Sequence, residues 1–280
     1  MRRRFLIGLL IPLLVLGSLV WLAGQEWTLQ WIAGKVVQAS GGNIEIEDVS
    51  GTMVNSLEIG KISFSSPEKD IVIDDLALVW NPWKLLHGEI DVVRIAASRI
   101  AIDMKQSSDE PFVLPHSLAP PLSVRVGLAE FGVVSLTKSG VGLSLEQIHF
   151  SLASDEKAWH LEDFGFDSPF GNAAIRLDLG MEKPHAIDGD IRFENSLNGA
   201  HANVMLGGSL EKLTVSGVLD GYGAAGKLDA VMTPFAEFPF ESIKLDVRDI
   251  DPSRIQSSWP LAMLDAQIDL AAGKEQTVQG

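Results

Sequence analysis

The chain has 280 residues, 46% of them hydrophobic and 21% charged, a balance that excludes both a disordered polymer and a protein embedded in lipid along its whole length. Asp and Glu outnumber Lys and Arg by 37 to 22, and three of the arginines precede the first apolar run, so the remaining 19 against 37 leave −18 on everything after residue 24. Such a surface repels phosphate backbones, which excludes nucleic acid as a partner, and the absence of cysteine excludes disulfides, thiolate metal sites and a cysteine nucleophile.

Twenty residues from Phe5 to Gly24 carry no charge, and as a helix they extend roughly 30 Å, the thickness of a bilayer's hydrocarbon core. Arg2, Arg3 and Arg4 flank the run on one side and Gln25 and Glu26 on the other, which places the N-terminus in the cytoplasm of a single-pass protein. Phe5, Leu10, Leu14 and Val20 mark the length of this anchor, and Trp21 its far interface. A cleaved signal peptide has a shorter apolar region, about 7 to 15 residues, and a small-x-small site. Leu22-Ala23-Gly24 puts a large residue first, so residues 1–24 read as an uncleaved signal anchor with the body of the chain beyond the membrane.

Residues 25–42 follow as a short amphipathic helix, with Trp27, Trp31, Ile32 and Val36 forming a packing stripe and Gly41-Gly42 ending it, a plug or interfacial cap. The period then changes to two. Ile44 and Ile46, Leu57 and Ile59, Ile62 and Phe64, Ile71 and Ile73, Leu76 and Leu78, and Ile100 and Ile102 alternate with polar residues, placing each set on one face of a strand. Gly51, Gly60, Ser65-Ser66-Pro67 and Asp74-Asp75 read as turns between short antiparallel strands over 43–105, and Asn81-Pro82 opens a single helical turn. Residues 106–121, with Pro111, Pro115, Pro120 and Pro121, form a linker or loop, and alternation resumes over 122–280.

A search for chemistry returns little. Gly221 to Leu228 imitates a phosphate-binding loop, but Leu228 stands where Ser or Thr must follow the lysine, and no helix has room before Pro234, so the segment reads as a glycine-rich hairpin. The six histidines lack metal-motif spacing, and the adjacent pairs Asp74-Asp75 and Glu162-Asp163 point to opposite faces as solvated turn residues. No catalytic motif appears, so the chain reads as a non-enzyme that needs no cofactor. What remains is a long apolar face, which is either the sealed core of a sandwich or an open groove for acyl chains.

Three stretches carry a resemblance: the Val49 to Gly51 turn with the Leu57 to Phe64 strand pair, "IDDLALVWNPWKLLHGEI", and the proline linker leading into "PLSVRVGLAEF". A fourth is "LDAVMTPFAEFPFESIKLDVRDIDPSR" over 228–254. Behind an Arg-rich start and one membrane helix, their order resembles the N-terminal part of the TamB family, inner-membrane subunits of the translocation and assembly module. The resemblance implies an all-β periplasmic body, an elongated β-taco related to the AsmA-like and repeating β-groove proteins, behind one transmembrane helix in the inner membrane. It implies help to outer-membrane proteins such as autotransporters in assembly and secretion, and phospholipid transport between the two membranes. Its implied partners are the inner membrane, phospholipid acyl chains and the barrel subunit TamA. In the family TamA is reached through a C-terminal domain, which on this reading is expected to be missing from the chain. The chain stops in mid-pattern at Gln279-Gly280 and reads as a fragment or truncated frame. On this reading Ile44, Ile46, Leu57, Ile59, Ile62, Phe64, Ile71, Ile73, Leu76, Leu78, Ile100 and Ile102 line the lipid groove. The alternative is a scaffold with a closed core that templates polypeptide strands and carries no lipid.

Overall fold

A computed structural model of the chain describes residues 24–105, 114–138, 141–195, 199–221, 224–236, 238–251, 253, 260–272 and 277–279. The expected anchor, with Arg2, Arg3, Arg4, Phe5, Leu10, Leu14, Val20 and Trp21, lies outside the described residues. Among those residues no helix is long and apolar enough to cross a membrane.

The described chain is all-β apart from one α-helix and short turns. Helix α1 (Glu26–Ala39) precedes β1 (Ile44–Gly51), β2 (Ser56–Ser65), β3 (Lys69–Trp80) and β4 (Glu89–Met104). After the proline segment come β5 (Ser123–Lys138), β6 (Val141–Ser154), β7 (Ala158–Ser168), β8 (Gly171–Gly180), β9 (Ala186–Asn195) and β10 (Ala200–Ser209). The series ends with β11 (Leu213–Gly221), β12 (Ala224–Met232), β13 (Phe240–Ile250), β14 (Leu264–Ala271) and β15 (Thr277–Gln279). Contacts divide the chain into two compact units, Met1–Ser108 with Val124–Glu146, and Asp109–Ser123 with Gln147–Gly280. Within each unit the strands lie side by side in the order of the sequence. Most of this order follows from connections of hairpin length, as where Gly221 at the end of β11 pairs with Ala224 at the start of β12.

Three local expectations are corrected. Gly60, Asp74-Asp75 and Glu162-Asp163 are not turns but lie inside β2, β3 and β7, so the strands are longer than the punctuation suggested. The reason is backbone conformation: Asp75 and Asp163 take positive φ angles of 53° and 50°, which short polar side chains tolerate and which let a strand pivot without ending. The strands are also not all antiparallel. A Cβ on Gly127 would lie 2.9 Å from the Val93 carbonyl oxygen, and one on Gly132 would lie 2.5 Å from that of Ser98. The two pairs rise together in number, so β5 runs alongside β4 in the same direction. Parallel neighbours need a long crossover, which explains why a proline-rich segment and not a hairpin separates them. Finally, the stripe of Trp27, Trp31 and Val36 does not pack inward: all three are exposed, and Leu29 is the buried residue of α1.

The described part of the proline segment is an ordered strap in the second unit. Leu118 N–H donates to the Met181 carbonyl at 2.8 Å, Lys183 N–H to that of His116 at 3.2 Å, and the Trp159 indole N–H to that of Leu118 at 3.0 Å. Beneath it Met181 and His185 are fully buried, the imidazole lying between the carbonyls of Gly180 and Pro115.

Candidate functional site

The twelve residues predicted to line a groove are brought together in the first unit. Across β1 to β4 the register joins Ile44, Phe64, Ile71 and Ile102 into one cross-strand ladder, and Ile46, Ile62, Ile73 and Ile100 into a second. Val49, Ile59 and Leu76 form a third, and Leu57, Leu78 and Ile95 a fourth. The opposite face pairs Glu47 with Lys61 and Asp74 with Arg99. Such one-sided alternation is what places an apolar sheet face against either a core or a ligand.

Between the second and third ladders the alternation slips by one residue, from 46 to 49, 59 to 62, and 73 to 76. The slip falls where Asp48 and Asp75 have φ of 55° and 53°, and where Gly60 stands so close that a Cβ would lie 2.8 Å from that of Asp48. Ser98 locks the next strand by donating to the Asp75 carboxylate at 2.8 Å and to the Asp74 carbonyl at 3.1 Å. Asp48, Gly60, Asp75 and Ser98 thus mark a crease across four strands. A strict two-residue alternation through it would turn one flank's isoleucines outward; the slip keeps both flanks on one face.

The second unit repeats the arrangement with residues that the sequence places in the resumed alternation over 122–280 but not in the groove lining. Phe164, Ile175, Ile191, Val204, Gly217, Leu228, Leu245 and Ile268 form one ladder across eight strands. Beside it Leu161, Leu177, Gly189, Leu206, Val215, Ala230, Ile243 and Leu270 form another. A third alternates large and small: Phe166, Ala173, Phe193, Ala202, Leu219, Gly226, Val247 and Ala266. Its small members leave an apolar cavity of about 300 Å³ lined by Phe193, Ala202, Leu219 and Val247. The signal for these residues was present as alternation. The register that aligns them depends on where each hairpin turns.

These faces are not sealed. Among the described residues only eight hydrophobic side chains are buried, namely Leu29, Ala97, Ala129, Ile148, Ala173, Met181, Ile187 and Ala230, and all twelve predicted groove residues are half-buried. A closed sandwich core would bury its large aliphatic residues. The open apolar face is therefore a property of the fold.

The other face of the second unit is charged and self-satisfied. A depression of about 390 Å³ there is lined by His149, Glu162, Arg176, Asp190 and Arg192, and both arginines lean on the one Asp190 carboxylate, at 3.7 and 3.5 Å. His160 stands between Asp178, 2.7 Å from Nδ1, and Asp155, 3.3 Å from Nε2, and these carboxylates raise its pKa above the ordinary value. Asp155 is pulled down to about 2 by the backbone N–H groups of Lys157 and Ala158 and by His160. These are surface braces at a strand end. Among the described residues no group of three or more acidic or histidine side chains is placed to hold a metal ion.

No curated protein and no solved structure matches the chain significantly. The sequence model of the family described as TamB, N-terminal domain, matches residues 15–169, more than half of the chain, and spans the whole creased face of β1 to β4. The creased, open apolar face of β1 to β4 thus lies inside the matched region, and the chain belongs to the TamB family through that N-terminal domain.

Proposed function

We propose that the chain is the inner-membrane-anchored, periplasmic part of a TamB-like factor. Its apolar faces solvate phospholipid acyl chains on their way between the inner and outer membranes, in support of outer-membrane protein assembly and secretion. The observation that carries this reading is the set of apolar ladders on one open face of β1 to β4, two of which run through all four strands. Each methylene withdrawn from water contributes about 0.8 kcal/mol, and a face of uniform aliphatic character gives an acyl chain nearly the same gain at successive positions. Transfer along it needs no bond to be made or broken and no cofactor. Family membership supports an association with the membrane and with TamA, and the uncharged run from Phe5 to Gly24 supports a single-pass anchor with a cytoplasmic N-terminus.

The test is a photocrosslinking scan in the bacterial envelope with the reactive residue at 71, 72, 73 and 74 in turn. Ile71 and Ile73 belong to the apolar ladders, whereas Asp74 pairs with Arg99 on the other face and Val72 with Ala101. Phospholipid adducts are expected at 71 and 73 and not at 72 and 74. In a companion variant Ile73→Asp, which puts a carboxylate between Ile62 and Ile100, adducts at 71 are expected to fall severalfold while the protein stays in the membrane fraction. Polypeptide adducts at 71 and 73, or none, would favour the scaffold that templates strands.

A further inference from the structure

Helix α1 runs antiparallel to β1, the edge strand of the first unit. At one end the Ser40 hydroxyl accepts from Ile44 N–H at 3.1 Å, and further along the Gln30 side-chain amide reaches the Val49 carbonyl at 3.5 Å. Ten helical residues advance about 15 Å and five strand residues about 17 Å, so the two stay level. Trp27 therefore lies beside the last residues of β1, at the end of the unit where β1 turns into β2. That same end carries the 3-10 turn Pro82–His87. The Trp80 indole N–H donates to the Met53 carbonyl at 2.9 Å, and Trp80 N–H to that of Asn55 at 3.2 Å, which ties the start of this turn to the β1–β2 connection.

The end so assembled is rich in large side chains that stand exposed. Trp27 and Trp31 are 55% and 59% exposed on the outer side of α1, and Trp83 and Leu86 are 51% and 78% exposed on the 3-10 turn. Lys35 lies 5.9 Å from the Trp31 ring, leaving an ammonium beside the indole. Indoles with a nearby cation suit the zone between water and hydrocarbon, where the ring is shielded and its N–H still finds a partner. Glu26, the first residue of α1, is also the second residue after the uncharged run Phe5 to Gly24, so the chain that leads toward a bilayer leaves the unit from this end.

From this juxtaposition we infer that Trp27, Trp31, Trp83 and Leu86 seat the first unit on the lipid surface, immersed at the boundary between headgroups and acyl chains of the bilayer that holds the anchor. The inference rests on the anchor reading proposed above and adds to it an orientation: the end of the creased face nearest the β1–β2 turn meets the membrane directly. The occupant is the bilayer surface, because the apolar run ends one residue short of α1 and leaves no length for the rim to stand away from it. Aromatic and aliphatic immersion, not charge, drives the contact, since the chain is acidic overall.

The chain contains no cysteine, so single-cysteine variants can be spin-labelled without altering a native thiol. The full chain is reconstituted in nanodiscs of phosphatidylethanolamine with phosphatidylglycerol, with labels at Trp27→Cys, Trp31→Cys, Trp83→Cys and Leu86→Cys. Leu14→Cys reports the anchor and Glu58→Cys, on the charged face of β2, reports water. Relative accessibility to oxygen and to a nickel chelate should place the four rim labels roughly 5–10 Å below the phosphates, Leu14→Cys deeper and Glu58→Cys in water. Rim labels as aqueous as Glu58→Cys beside an immersed Leu14→Cys overturn the seating and leave the anchor standing. Immersion of the helix labels alone overturns it too. An aqueous Leu14→Cys removes the anchor and the seating together, and spin–spin broadening between rim labels assigns the face to a second copy.

Discussion

His160 is held by two carboxylates at the turn from β6 into β7, and the brace has a definite pH window. The imidazole's pKa is raised by Asp178 and then by Asp155, so its contribution to stability is full below the ordinary value of 6.5 and is lost as pH rises through the raised value. Asp155 behaves oppositely: its pKa is lowered from 3.8 to about 2, so its contribution is present above 3.8 and is lost as pH falls through about 2. Both act together between roughly pH 4 and 6.5. The melting temperature of the full chain is expected to fall between pH 6 and 8, and His160→Gln to flatten that slope. A variant as pH-dependent as the parent would show that the pair contributes nothing there.

At the scale of the element, the crease sets what the strands can do. Asp48 sits at a positive φ that costs an L residue roughly 1–2 kcal/mol, more than the 0.5–1 kcal/mol by which glycine loosens the unfolded chain. Asp48→Gly is therefore expected to stabilise the first unit by up to about 1 kcal/mol. Gly60→Ala sets a methyl against the Asp48 side chain and is expected to cost about 1–3 kcal/mol. Because the clash is with the side chain that the first change removes, the double variant should recover most of the loss, and additive denaturation free energies would exclude the contact.

The same crease explains what could be read beforehand. The pairs Leu57 and Ile59, Ile62 and Phe64, Ile71 and Ile73, and Leu76 and Leu78 were visible because alternation is a property of neighbouring residues. Their union was not. Gly60 and Asp74-Asp75 have the chemistry of turns, and only cross-strand pairing makes them pivots inside continuous strands. The outward tryptophans of α1 escaped for a similar reason, since helical spacing identifies a stripe but not the side on which the sheet lies. In the second unit the ladders depend on register, which accumulates over every hairpin from β7 to β14.

At the scale of the whole molecule, the strands of each unit rest on the strands next to them in sequence, and few side chains among the described residues are buried. A structure of this kind approximates a one-dimensional array, whose stability is a sum of nearest-neighbour terms. Its unfolding is expected to be broad, with a calorimetric enthalpy exceeding the van't Hoff enthalpy, and a change at the crease should shift only part of the transition. A single sharp transition with equal enthalpies would mean that the units are coupled more strongly than neighbour contacts provide. The low sequence separation of those contacts also favours fast local pairing as hairpins form.

Strand order equal to sequence order also makes the fold a ruler. Inserting or deleting one hairpin disturbs only the two strands beside it and changes the extent of its unit by two strand spacings, roughly 10 Å. A gap of any width can thus be matched by adding hairpins, without redesigning a core, and each ladder lengthens by two residues, one per added strand, at each step. Reach and lining are set by the same genetic event.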